Sequence, residues 1–346
     1  MQGAVFRSLH VQSRSLPSCD VSVRTEAGTS RIPTRPVDRL CGGPFSTGWL
    51  PLMAATPAIS VVIPTHRSVT NTLRAIHSVA AQEFVEAEII VVVDGMSQMA
   101  ASLRRELRGT SVRVLNQTDA MGAAAARNRG VKEATSSLVS FLDSDDVWLP
   151  TMANTQLQLM SASSPNVVGA STGYWLEGSR STELRPGRSK DNLLRELTRG
   201  CALAPGSTLC IRRSAWLDIG GEDPRFTRLE DWDLLLRLAL AGSELAHSSQ
   251  PLARISRSAR GPGSAQVEQS CQLLLKNHLG SVRAKSPWLG HALRAACLYE
   301  IGLAHLRNRE VLRAVLPVMA SAMCDPLPRA AAAMRVLKRV RMRHGK

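Results

Sequence analysis

Residues 141–148 read Phe141-Leu142-Asp143-Ser144-Asp145-Asp146-Val147-Trp148, an apolar run that ends in three nearby carboxylates. Clustered acids repel one another unless a cation neutralises them, and hard oxygen donors suit Mg²⁺ or Mn²⁺. A divalent ion held by one or two of these carboxylates can bridge to substrate phosphates. The competing assignment is a solvated acidic turn capping a helix over Leu149–Met160, since Asp is favoured near a helix N-terminus.

Two further segments carry chemistry. Gly122-Ala123-Ala124-Ala125-Ala126-Arg127-Asn128-Arg129-Gly130 brings small residues into a helix, and Arg127 can hold a pyrophosphate or a base with two directed bonds. The alternative is a surface arginine on an Ala-rich helix. Arg228-Leu229-Glu230-Asp231-Trp232-Asp233 opens an apolar helix with three acids, one of which can act as a general base. Capping explains one such acid easily and three less well. The first apolar run leads into Pro64-Thr65-His66-Arg67-Ser68, with neither G-x-G-x-x-G nor a Walker A sequence, which disfavours NAD and P-loop chemistry.

These segments need a scaffold. Apolar runs at Ile59–Ile63, Glu88–Val93, Val112–Leu115 and Leu138–Leu142 alternate with helix-length stretches Val69–Gln82, Ser97–Arg108 and Gly122–Thr135. That pattern predicts βαβ units: a Rossmann-like, mostly parallel sheet with helices on both faces, whose ligands bind beyond the carboxyl ends of the strands. All four runs end in polar residues: Pro64-Thr65-His66-Arg67, Asp94-Gly95, Asn116 and Asp143–Asp146. Beyond Pro150 the pattern predicts a helix Thr151–Met160, a strand Val167–Tyr174, a polar loop through Gly187, a helix near Asn192–Thr198, a strand Ser207–Arg212 and a helix Asp231–Ala241. From Gln266 onward it predicts helices over Val267–Leu279, His291–Arg307, Val311–Met323 and Arg329–Arg343.

The three segments, in this order and on this strand pattern, resemble the family 2 glycosyltransferases of the GT-A fold. Ser60–Arg67 is similar to the family's opening strand and turn, and Glu88–Gly95 to its second strand. Arg127-Asn128-Arg129-Gly130 is similar to its ARNxG segment, Asp143-Ser144-Asp145 to its D-x-D motif, and Glu230-Asp231 to its late E-D motif. The resemblance covers about residues 58–260 and implies an inverting hexosyltransferase-like enzyme. Pro64, Thr65, Arg67, Asp94, Arg127 and Asp143 would bind the nucleotide-diphosphate sugar. Asp145 and Asp143 would hold Mg²⁺ or Mn²⁺, and Asp231, with Glu230 beside it, would deprotonate a carbohydrate or lipid-linked acceptor. The chain departs from the family pattern at Val93 and Met96 after the second strand, and at Ser258, where many relatives carry His.

Length and charge bound the rest. The 346 residues suffice for roughly two domains. We expect a leader or upstream-placed start over residues 1–55 (with Met53 the true initiator), a GT-A catalytic domain over 56–260, and a C-terminal helical region over 261–346. The formal charge of +15 is uneven: residues 56–260 carry only +2, whereas residues 326–346 hold seven Lys and Arg and no acid. A nearly neutral centre with 4% aromatics argues against a nucleic-acid partner. Arg329–Lys346 reads as a basic amphipathic helix suited to an anionic membrane surface, or as a terminal helix packed on its neighbours. Seven widely spaced cysteines without C-x-x-C fit a reducing cytoplasm, and no apolar run is long enough to span a bilayer. The rival functions are a metal-dependent nucleotidyltransferase and a non-catalytic membrane- or polyanion-binding protein.

Overall fold

The computed structural model describes residues 57–178, 182–187, 192–201, 203–256 and 263–324, and in it the Val/Ile runs become central strands. β1 (Ile59–Thr65), β2 (Ala87–Asp94), β3 (Arg113–Gln117) and β4 (Leu138–Phe141) alternate with α1 (Val69–Ala80), α2 (Ser97–Glu106) and α3 (Ala123–Glu133). β1 pairs in parallel with β2 and β4, and β2 in parallel with β3. Crossover helices cover both faces of such strands, so alternate residues serve two separate cores. Val62, Ile90 and Val92 enter one core with Ala126 and Val131 of α3; Val61, Ile63, Val91 and Val93 enter the other with Ile76 of α1 and Leu103 of α2. That double burial is why these strands read as unbroken apolar runs.

The rest of the sheet is mixed. β5 (Val147–Trp148), α4 (Met152–Ser161), β6 (Val167–Glu177), β7 (Thr182–Arg185), α5 (Leu193–Leu197), α6 (Pro205–Thr208), β8 (Cys210–Arg212), α7 (Arg213–Asp218), α8 (Glu230–Leu240) and β9 (Glu244–Ser256) follow in order. The strand order is β3-β2-β1-β4-β8-β6-β9-β5, with β7 also on β6. β8 runs antiparallel to β4 and β6, and β9 runs parallel to β6 but antiparallel to β5.

Three element expectations are corrected, the first being the polar loop through Gly187, where β6 instead runs on to Glu177 and pairs with β7. The strand expected from Ser207 starts only at Cys210, because Pro205 opens a helical turn through Thr208 at the position where a missing N–H costs nothing. The 13-residue β9 was not expected, since His247-Ser248-Ser249-Gln250-Pro251 interrupts its apolar alternation. Register shifts against β6 between Thr172 and Tyr174 absorb that interruption.

α9 (Ser264–Lys285), α10 (Pro287–Arg307) and α11 (Val311–Cys324) form the C-terminal helical region. Val267, Cys271, Leu274, Leu293 and Cys297 join the same core as Leu234 and Leu238 of α8. A buried polar link reinforces that contact: Asp233 of α8 pairs through Oδ1 with His278 Nε2 of α9 at 2.7 Å. Among the described residues no helix is long and apolar enough to cross a membrane, and Cys201, Cys210, Cys271, Cys297 and Cys324 are unbridged. The expectations for residues 1–55, Ser258 and Arg329–Arg343 lie outside the described residues.

Candidate active site

Gly130 decides how closely α3 approaches the sheet. A Cβ there would collide with the methyl groups of Val62 on β1, so only glycine permits this packing. Arg127 stands one helical turn earlier on the same face and is carried, buried, towards the carboxyl ends of the strands. Its Nη2 donates to Asp143 Oδ1 at 2.8 Å; its Nη1 donates to Glu222 Oε2 at 3.0 Å and Glu230 Oε1 at 3.4 Å. Its buried Nε has no hydrogen-bond partner among the described residues. Burial opposes the charge, but Glu222, Asp143 and Glu230 outweigh it and push the guanidinium well above its usual range.

Asn128 fixes the turn that delivers Glu222. Its Nδ2 donates to Glu222 O at 2.7 Å, and its Oδ1 accepts from Glu222 N at 2.9 Å and Trp216 Nε1 at 3.1 Å. The turn itself needs Gly220 and Gly221, at φ 84 and 70, and Arg237 of α8 clamps it by donating to Ile219 O and Gly221 O. Burial lifts the Glu222 carboxyl to about 8 even though Arg127 pulls it down. The physical reason is arithmetic: one cation cannot neutralise three carboxylates, so the deepest one keeps its proton most readily.

The acidic turn splits into two functions. Asp146 is buried; its Oδ2 accepts from Ser207 Oγ and its Oδ1 from Ser256 N at 2.9 Å. Asp146 therefore stitches α6 and the end of β9 beneath the site. Asp145 points outward, and burial together with the charge of Asp143 raises its carboxyl above the usual range. Arg74 Nη2 donates to the Asp145 carbonyl at 2.7 Å, and Ser256 Oγ donates to the same oxygen at 2.8 Å. No group of three or more His, Cys, Asp or Glu among the described residues could hold a metal ion. Asp143 and Asp145 are oxygen donors of the type a hard cation takes.

At α8, Leu229 takes the left-handed conformation at φ 65 and starts the helix abruptly. Glu230 reaches Arg127, while Asp231 Oδ1 accepts from Trp232 N at 2.7 Å. Burial, then the neighbouring Glu230, lifts Asp231 to about 6. A carboxylate in that range is ionised at neutral pH yet basic enough to take a proton.

The residues expected on the nucleotide side sit at the ends of β1 and β2. Pro64 and Thr65 are buried, and the Thr65 and Thr72 hydroxyls share a 2.7 Å hydrogen bond across the β1–α1 turn. Arg67 is exposed just beyond it. Asp94 accepts from Gln117 Nε2 and Met121 N on Oδ1 and from Gly122 N on Oδ2, each at 2.8 Å. It thus braces the loop that leads into α3 and Arg127.

The fold brings Arg127, Asp143 and Glu230 into direct contact, with Asp145 and Asp231 next to them in sequence. Glu222, Ser207, Ser256 and Arg74 were not foreseen; none has a sequence neighbour that marks it, apart from the Gly220-Gly221 pair before Glu222. Trp148 and Trp232 are buried and donate to carbonyls of Ser207 and Leu197, which assigns both to packing. His247 bonds Ser171 Oγ and Pro186 O through its two ring nitrogens.

Residues 60–219 match the family described as Glycosyl transferase family 2. Those residues belong to that family. An uncharacterized glycosyltransferase of Escherichia coli K12, YibD, is 33% identical over 110 residues, covering 31% of this chain and 32% of its own. The E. coli UDP-Glc:alpha-D-GlcNAc-diphosphoundecaprenol beta-1,3-glucosyltransferase WfgD is 29% identical over 102 residues, 30% of this chain and 40% of that protein. The chain thus spans 32% and 40% of the length of these two curated relatives. Residues 1–349 of S. aureus TarS in complex with UDP-GlcNAc match with a TM-score of 0.56 at 14% identity, covering 77% of this chain and 81% of that one. At that identity the likeness is one of fold, and the fold is the GT-A arrangement the motifs implied, followed by C-terminal helices.

Proposed function

We propose that this chain transfers a sugar from a nucleotide-diphosphate sugar to an acceptor hydroxyl with inversion, in the synthesis of a cell-surface polysaccharide or glycolipid. One observation carries the reading: Arg127 bonds at once to the acidic turn through Asp143 and to the base-bearing helix through Glu230. Two motifs that lie roughly ninety residues apart are thereby held on one rim, as an in-line displacement needs.

In this reading residues 56–260 are the catalytic domain. Arg127 holds the donor side against Asp143, while the β1 and β2 ends, with Pro64, Thr65, Arg67 and Asp94, border the nucleotide. Asp231 accepts the proton of the acceptor hydroxyl as that oxygen bonds the anomeric carbon and the bond to the diphosphate breaks. Glu230 keeps Asp231 basic by its adjacent charge. When bound, a Mg²⁺ or Mn²⁺ ion held by Asp145 and Asp143 would neutralise charge developing on the leaving diphosphate.

The nucleotide sugar bound by TarS supports a donor of that class, and the diphosphoundecaprenol acceptor in the name of WfgD supports a lipid-linked acceptor. A cytoplasmic chain resting on an anionic membrane through Arg329–Lys346 fits such an acceptor. The test is a panel of nucleotide-diphosphate sugars with Mg²⁺ or Mn²⁺, read by released products. Nucleoside diphosphate from one donor, lost in Asp231→Asn once acceptor is supplied, is the expected result. Release of inorganic pyrophosphate would favour a nucleotidyltransferase, and no product from any donor would overturn the reading.

A further inference from the structure

α11 is apolar on two opposite sides. At 100° per residue, Ala314, Val318 and Ser321 fall on one side, while Leu312, Leu316, Met319 and Met323 fall within an arc of about 60° on the other. The first side is covered by α10: Val318 meets Gly302, and Ser321 Oγ donates to Ala295 O at 2.7 Å. The second side is open, with Leu312 73%, Leu316 78%, Met319 40% and Met323 82% exposed. Single apolar side chains on a surface are ordinary; four in a row along about three turns mark a binding face.

The surroundings select a lipid surface. Residues 311–324 contain no acid, and beyond Asp325 residues 326–346 carry seven Lys and Arg and again no acid. The Ala295–Ser321 contact sets α10 and α11 side by side in opposite directions. Trp288, 81% exposed near the start of α10, therefore lies at the end of the pair where α11 runs into that basic segment. An apolar row, an exposed indole and a positive flank are the composition of an interfacial membrane contact.

We propose that Leu312, Leu316, Met319 and Met323 insert into the interface of an anionic membrane, to which the positive charge of residues 326–346 also draws the chain. The proposal takes its partner from the peripheral-membrane reading of Arg329–Lys346, but the apolar face is tested separately. Full-length chains are sedimented with phosphatidylcholine vesicles with and without phosphatidylglycerol: the unmodified chain, the variant L312Q/L316Q/M319Q/M323Q, and a variant with the seven Lys and Arg of 326–346 changed to Gln. The α11 variant is expected to lose roughly tenfold or more in lipid partitioning with unchanged circular dichroism and melting. The unmodified chain should retain part of its binding at high salt, because the apolar contribution is not screened.

If the α11 variant partitions like the unmodified chain while the tail variant does not, the α11 face has no membrane role and the tail reading stands. If the unmodified chain fails to bind any vesicle, both readings fall. A vesicle-free dimer in sedimentation velocity that the α11 variant abolishes would assign the face to a second copy and overturn the proposal. Should the fourfold variant misfold, Leu316→Trp provides the readout: added fluorescence quenching by brominated acyl chains supports insertion, and none overturns it.

Discussion

Arg127 Nη2 lies 2.8 Å from Asp143 Oδ1 and ties the helix after β3 to the acidic turn after β4. Arg127 is the shared cation of Asp143, Glu222 and Glu230. Removing one partner of a buried pair typically costs about 3–5 kcal/mol. Arg127→Met is therefore expected to lower stability by an amount in that range in denaturant unfolding, and Arg127→Lys, which lacks the planar fork, should recover only part of it.

Gly206 tests the same contact without altering any charge. A Cβ at this position would lie 2.6 Å from Asp143 Oδ2 and 2.9 Å from Arg127 Nη2. Gly206→Ala should displace the pair and weaken donor binding by roughly tenfold while melting shifts little, since carboxylate and guanidinium side chains can swing aside. Calorimetric titration with the donor checks this.

The raised Asp231 carboxyl predicts an acid limb in the rate. Its group titrates near 6, so transfer should fall about tenfold per pH unit below that point and level off above it. Asp231→Asn should lose at least roughly a hundredfold in turnover and keep donor affinity. A variant that turns over like the unmodified chain would exclude Asp231 as the base.

Asp145 faces outward and carries a raised carboxyl, so a bound cation would ionise it. Asp145→Ala is expected to remove the Mg²⁺ or Mn²⁺ dependence of donor binding. Titrations with and without the ion should then coincide for the variant and differ for the unmodified chain.

Glu222 links pH to stability. Its folded value of about 8 exceeds the ordinary 4.5, so the folded chain binds the extra proton between those values. The unmodified chain must then lose stability as pH rises from about 4.5 to 8, by at most about 1.4 kcal/mol per pH unit across that window. Glu222→Gln has no such proton to lose, so its unfolding curves at pH 5 and pH 8 should lie closer together than those of the unmodified chain.

The amino-acid sequence by itself determined the alternating half of the sheet and the polar residues at its rim. β1 and β2 are buried on both faces, which leaves continuous Val/Ile runs, and the runs of β1 to β4 each stop at a polar end that marks the carboxyl terminus. Asp143, Asp145 and Asp231 stand out in the sequence because each sits near a strand end or helix start, and Arg127 because it is the first charge on an Ala-rich helix.

Tertiary structure alone decided which of those charges meet and which carboxylates serve other purposes. Glu222 reaches Arg127 across 95 residues, and Ser256 N reaches Asp146 across 110. Spacing showed only three nearby carboxylates at 143–146; packing withdrew Asp146 into the floor and left Asp143 and Asp145 on the rim. β9 was equally hidden, because its polar stretch becomes part of a strand only when β6 pairs with it. Local pattern reports what a residue's immediate neighbours require. Burial and ion pairing between distant segments depend on where the whole chain closes, and no window of sequence contains that information.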